Sequence, residues 1–199
     1  MQTENEHIDL SLLNSFKAFI GSHFLLNVIN SIQSDIILSD KKSAFDTLQI
    51  FNRIYKNALR FSNAEFAELN AEISFLNDYI SLENIRFAPR TFSKLSTFQT
   101  ESGEVPVFVF QSFIENAILL SLENKSTKPK FVLLSKNDFI EFSITLAETP
   151  EKNIHPKIES KLHLALERLD ILKAHRLLEY EIAWNEKYFM QLKLKKRKD

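Results

Sequence analysis

From Asp9 to Leu38 apolar residues recur at three- and four-residue steps, with one glycine and no proline, which predicts a first helix. Asp40, or alternatively Ser43, then caps a second helix that runs to about Phe61. Its apolar positions, Phe45, Leu48, Phe51 (or Ile50), Ile54 (or Tyr55), Ala58 and Leu59, keep the helical period. Ser62-Asn63 interrupts it. A third helix is expected from about Glu68 to Arg86, carrying Ile73, Leu76, Tyr79, Ile80 and Leu82, and Pro89 closes it.

Beyond Pro89 the pattern changes. Phe92 to Thr100 alternates like a strand, and Glu101 to Glu104 reads as a turn. Pro106 is placed to open a helix that continues to about Leu122, since the first turn tolerates proline. After a loop from Asn124 to Pro129, Phe131–Ser135 and Phe139–Leu146 read as a hairpin. Another helix is expected from about Lys157 to His175. Leu178–Trp184 and Tyr188–Leu194 then form a second hairpin around Asn185 to Lys187. The fold class is α+β: three helices, then β-α-β-β-α-β-β. The boundary near Pro89 divides the chain into residues 1–88 and 89–199.

On a helical wheel the first helix is apolar nearly all round, with Leu12, Leu13, Phe16, Phe19, Ile20, Phe24, Leu25, Leu26, Val28 and Ile29. Such a helix is buried all round. Two partner helices in one chain do not surround it, whereas a second copy does, giving a four-helix bundle in a homodimer. One polar stripe survives: His23, Asn27, Asn30 and Ser34, at i, i+4, i+7 and i+11. On spacing alone a row of hydrogen-bonded core polar groups is favoured over a reactive imidazole facing out of the bundle.

Composition narrows the chemistry. The 199 residues contain two glycines, Gly21 and Gly103, so no glycine-rich phosphate loop can be written. Eighteen phenylalanines against one tryptophan make phenylalanine the main core aromatic. Cysteine is absent, which excludes disulfides, thiolate metal sites and thiol catalysis. A net charge of −1 gives no global field for nucleic acid or anionic lipid, and the basic end from Lys193 to Lys198 reads as solvated. No apolar run reaches the roughly 18–20 residues of a membrane span. The acidic start, with Glu4, Glu6 and Asp9, does not resemble a signal peptide, so a cytoplasmic protein is expected.

Several blocks then resemble a known family. Phe16-Lys-Ala-Phe-Ile-Gly-Ser-His23-Phe-Leu-Leu-Asn27-Val-Ile-Asn30-Ser-Ile32 is similar to the phosphoacceptor box L-K-A-Q-I-N-P-H-F-L-F-N-x-L-N-x-I of LytS-type sensor histidine kinases. Glu72 to Phe87 resembles the family's E-x-x-x-[IL]-x-x-Y-[IL]-x-[IL]-[EQ]-x-x-R-F helix, through Glu72, Tyr79, Glu83 and Arg86. Pro106 to Ile118 resembles P-x-x-x-L-Q-P-L-V-E-N-A-I, the first ATP-site box, and a weaker fourth match is Glu167-Arg168-Leu169-Asp170-Ile171-Leu172. The likeness spans residues 16 to about 175. It implies a helical dimerisation and phosphoacceptor domain followed by a GHKL ATPase-type α/β sandwich. By the same likeness His23 is the phosphoacceptor, Asn27 the asparagine that follows it, Glu115 the acid that polarises the histidine or its proton, and Asn116 the Mg²⁺-binding asparagine.

The departures are as informative. Gly21-Ser22 replaces the Asn-Pro before the histidine, and Phe19 replaces the upstream glutamine. Leu119-Leu120-Ser121 stands where the family has Lys-His-Gly. The D-N-G-x-G box aligns with Ala147 to Glu151, and the G-x-G-L of the phosphate lid falls on Glu159 to Leu162. Side chains at former glycines fill space that a phosphate occupies, and Glu151 and Glu159 add repulsion. These departures lead to an expectation of no bound cofactor, with ATP and Mg²⁺ required only by an active autokinase. Three functions stay open: a histidine phosphotransferase, a pseudokinase scaffold, and an autokinase that phosphorylates His23 from ATP. The expected partners are a second copy and a response regulator or partner histidine kinase, with no nucleic acid.

Overall fold

The computed structural model describes residues 22–61, 64–88, 92–98, 102–123, 128–136, 138–146, 160–184 and 190–195. Three helices come first: α1 (Ser22–Ile37), α2 (Lys41–Arg60) and α3 (Leu69–Arg86). Asp40 caps α2 as expected, its carboxylate accepting from the Ser43 N–H at 2.9 Å. Asp35 ties the same corner by accepting from the Ser43 hydroxyl at 2.8 Å. The expected start of the first helix at Asp9 lies outside the described residues.

The second helix has two apolar faces where the sequence pattern suggested one. Ala44, Thr47, Ile54 and Ala58 are buried within the chain. Phe45, Leu48, Tyr55 and Leu59 are 41–58% exposed. The reason is geometric: α2 packs on α1 and α3 with its inward row, and the second apolar row lies off that packed side. On α1 the same division separates buried Phe24 and Val28 from exposed Leu25, Leu26 and Ile29. The described part of α1 is therefore not covered all round by the described residues of one chain.

The rest is a five-stranded mixed sheet covered on one face. Its order is β2 (Ser96–Phe98), β4 (Pro129–Ser135), β5 (Phe139–Leu146), β7 (Met190–Lys195), β6 (Tyr180–Ala183). The two expected hairpins form, with Leu133 opposite Phe142 and Ile182 opposite Leu192. β2 runs parallel to β4, so a crossover between them is required, and α4 (Val109–Glu123) supplies it. Alternate residues, among them Phe131, Ile140, Phe142, Ile144 and Leu192, are buried. The helices α4 and α5 (Ser160–Ala174) pack together, and α4 lies on β4 and β5. The Phe110 ring meets Phe142 at 4.9 Å.

Two short strands depart from the sequence pattern. β1 (Phe66–Glu68) pairs antiparallel with β3 (Glu104–Pro106), so Pro106 ends a strand instead of opening a helix. A two-stranded ribbon tolerates this, because the missing N–H can face away from the ladder. Phe108, at φ 60°, then turns the chain into α4. Of the strand expected from Phe92 to Thr100, Ser96–Phe98 forms and residues 92–95 do not join it, while residues 99–100 lie outside the described residues.

Candidate functional site

His23 is the second residue of α1. Its helical spacing puts it on one face with Asn27, Asn30 and Ser34. Asn27 is half-buried, whereas Asn30 and Ser34 are exposed. Within the single chain Asn30 and Ser34 are thus open and Asn27 is partly covered. The stripe flanks the side of α1 that packs inward, at Phe24 and Val28, and lies roughly a third of a turn round the helix from it. The His23 side chain, like Phe19 and Gly21, lies outside the described residues.

One residue on, Phe24 stacks on Tyr79 of α3 with centroids 6.1 Å apart. Tyr79 is 1% exposed and joins three of the sequence blocks. Its hydroxyl hydrogen-bonds with the Gln111 side chain of α4. Gln111 in turn donates from Nε2 to Glu115 Oε2 at 3.2 Å. On the same face of α3, one turn beyond Tyr79, Glu83 is buried and pairs with Arg86. Burial first, and then the Glu83 and Glu115 carboxylates, push the Tyr79 hydroxyl well above its ordinary pKa, against Gln111 and Arg86. The phenol therefore stays protonated and works as a hydrogen-bonding group. The structure brings Glu115 into electrostatic reach of the helix layer that carries Phe24, through Tyr79 and Gln111.

Asn116 behaves differently. It sits on the inner side of α4 and is 1% exposed. Phe113 and Leu120 of the same helix are also buried. An amide enclosed in this way does not fit a Mg²⁺ ligand between phosphates, which needs an open oxygen and room for water. Residues 147–151, aligned with the second nucleotide box, lie outside the described residues. In the third box Leu162 is described, and it is 1% exposed, in the core.

The sequence blocks hold both Glu72 and Arg168 but assign neither a role. Glu72 is fully buried on α3, and Arg168 of α5 is 4% exposed. Arg168 donates to the Val107 carbonyl and, at 2.9 Å, to the Glu65 carbonyl. The available signal was a charged residue inside an apolar helical row: Leu69, Glu72, Leu76, Tyr79 and Glu83 follow one face. Among the remaining histidines, His163 pairs with Glu167 at 3.2 Å on the exposed side of α5, a partner the sequence had not assigned. His7 and His155 lie outside the described residues. No helix among the described residues is long and apolar enough to cross a membrane.

The histidine kinase family model matches residues 11–91. Sensor histidine kinase BtsS of Escherichia coli K12 is 31% identical over 102 residues, covering 51% of this chain and 18% of that protein. Sensor protein LytS of Bacillus subtilis is 30% identical over 107 residues, 53% of this chain and 18% of that protein. The chain thus spans under a fifth of the length of these two relatives. The crystal structure of histidine kinase ThkA in complex with response regulator TrrA aligns with 98% of this chain and 64% of that one, at 20% identity and a TM-score of 0.44. The family match and the named relatives bear out the resemblance to LytS-type sensor histidine kinases. The matched stretch holds His23, Asn27 and the whole of α3.

Proposed function

We propose that this chain, a relative of the LytS-type sensor histidine kinases, is a two-component signalling protein that passes phosphate through His23 without binding ATP itself. It acts as a homodimer through its helical part, residues 1–88, with residues 89–199 as a GHKL-like domain that has lost its nucleotide. The contrast between two helices carries the reading. On α1 the face shared with His23 is open at Asn30 and Ser34, while on α4 Asn116 is closed at 1% exposure.

The chemistry suits a relay. An imidazole nitrogen of His23 attacks the phosphorus of an aspartyl phosphate on a response regulator. The N–P bond forms, the P–O bond to the carboxylate breaks, and the imidazole N–H proton passes to a base. The reverse steps load a second aspartate. The regulator supplies Mg²⁺ and its own acids, so this chain needs to offer only a positioned, exposed imidazole. Such a reading places the protein in the cytoplasm with its regulators. A second reading is a scaffold that binds a kinase or regulator without transfer. It is favoured by Leu120, buried at 5% in the stretch where the family carries Lys-His-Gly.

Incubation with a phosphorylated response regulator from the same cell separates the readings. Label is expected to leave the regulator in the presence of the wild-type chain and to stay on it with His23→Gln. Equal loss with His23→Gln, or stable binding with no transfer, overturns the relay.

ATP provides an independent prediction. Millimolar ATP with Mg²⁺ is expected to leave the melting temperature unchanged. A saturable rise that disappears in Asn116→Asp restores the autokinase, because a ligand at a hundredfold its Kd stabilises by about 2.7 kcal/mol.

A further inference from the structure

Glu72 of α3 and Arg168 of α5 lie within electrostatic reach of each other. Glu72 is 0% exposed, and neither of its carboxyl oxygens accepts a hydrogen bond. The Phe108 N–H acts on the carboxyl and opposes the effect of burial. Arg168 is near enough for the two to interact electrostatically, yet its guanidinium is engaged elsewhere, on the Val107 and Glu65 carbonyls. Those bonds span 61 and 103 residues of sequence. They fasten α5 to the residues flanking the β1–β3 ribbon, where the Val107 N–H also donates to Glu65 O at 3.2 Å. Phe108 is next in line, held at φ 60° with its ring 5.2 Å from Phe75 of α3. A bulky residue at such a φ is strained and persists only while its surroundings hold it.

A buried carboxyl with both oxygens unpaired is costly, and a cation within electrostatic reach is the group suited to pair it. We propose that Glu72 and Arg168 form a two-seat latch. In the seat seen here Arg168 clasps the Glu65 and Val107 carbonyls, and the vacant Glu72 carboxyl is its second seat. Moving between the seats frees the Val107–Phe108 turn and the start of α4, the helix that carries Gln111, Glu115 and Asn116. A guanidinium suits this role because its planar fork fits either two carbonyls or one carboxylate bidentately.

Proton occupancy selects the seat. Burial raises the Glu72 carboxyl from 4.5 to about 8, against the Phe108 N–H and the Arg168 charge. Burial likewise lowers Arg168 to about 10, with Glu72 and Glu65 opposing, so the guanidinium is still charged where Glu72 titrates. These are the charged groups that act on the pair: Arg168 from α5, Glu65 from the segment before β1, and Glu72 itself. The folded chain holds the Glu72 proton more tightly than the unfolded chain does. The stability this gives is therefore fully present below about pH 4.5 and is lost as pH rises to about 8. Above that, Glu72 is an anion inside the core, and Arg168 is the cation positioned to reach it.

The test compares the full chain with Glu72→Gln, which keeps the shape and removes the charge. Deuterium exchange is read at pH 6 and pH 9 on the peptide covering residues 103–110, each pH referenced to the variant so that base catalysis of exchange cancels. The two proteins are expected to match at pH 6. At pH 9 the wild type is expected to exchange about tenfold faster. Thermal melts should coincide at pH 5 and separate toward pH 8.5, with Glu72→Gln the more stable. Arg168→Lys, which keeps the charge but cannot clasp two carbonyls at once, should exchange fast in this peptide at both pH values. Equal exchange of wild type and Glu72→Gln at pH 9 overturns the latch. Melts that separate without any exchange difference also overturn it, because Glu72 then titrates while Arg168 stays in place.

Discussion

An Ile29→Glu, Leu48→Glu double variant is expected to sediment near the chain mass of 23.2 kDa, while the wild type sediments near twice that. Ile29 and Leu48 are 41% and 51% exposed, so a carboxylate at either site stays hydrated in a folded single chain. Both lie outside the inward rows of Phe24 and Val28 on α1 and of Ile54 and Ala58 on α2, which are buried. Far-UV circular dichroism of the variant should therefore match the wild type. In a paired four-helix bundle the same positions are desolvated. Each unpaired carboxylate there costs several kcal/mol, and a symmetric dimer buries four of them. Micromolar affinity corresponds to about 8 kcal/mol, so four such penalties exceed what holds the pair. A wild-type chain that already runs at the single-chain mass defeats the homodimer. Phe24→Glu cannot make this distinction. Phe24 is 6% exposed and stacked on Tyr79, so that variant unfolds the chain itself.

The same rows show what a sequence pattern carries and where it stops. The Asp40 cap, the hairpin of Phe131–Ser135 with Phe139–Leu146, and the hairpin after Leu178 were legible because each rests on local chemistry: a cap, a period of two, a turn. The β1–β3 ribbon was not. Three-residue strands have no period to read, and the pairing of Phe66 with Pro106 is a tertiary fact that overrides proline's preference for a helix start. On α2 the apolar positions were legible, but their division into an inward row and an exposed row depends on where α1 and α3 lie. The stripe of Asn27, Asn30 and Ser34 was visible as a stripe, while its direction was set by Phe24 and Val28 packing inward. At the joint, Glu72, Tyr79, Gln111 and Arg168 stood in the sequence blocks as separate letters. That Arg168 would hold carbonyls 61 and 103 residues away, or that Gln111 would bridge Tyr79 and Glu115, is not encoded in any local spacing.

Tyr79→Ala is expected to lower the melting temperature by on the order of 10 °C. Removing a fully buried aromatic ring costs about 3–5 kcal/mol, from lost transfer energy and from the cavity left behind. In a chain of this size each kcal/mol is worth about 2–4 °C. Tyr79 is 1% exposed, stacks on Phe24 of α1 and hydrogen-bonds with Gln111 of α4. Its loss therefore opens a void between the helix that carries Phe24 and the helix that carries Glu115. Tyr79→Phe separates the two contributions. It keeps the ring against Phe24 and gives up only the hydroxyl, at about 1 kcal/mol, because Gln111 retains Glu115 as an acceptor. The expected order is wild type, Tyr79→Phe a few degrees lower, Tyr79→Ala far lower. Equal melting temperatures for Tyr79→Ala and Tyr79→Phe mean that the ring does not join the layers. In that case the contact between the His23-bearing helix and the Glu115-bearing helix is carried by other side chains.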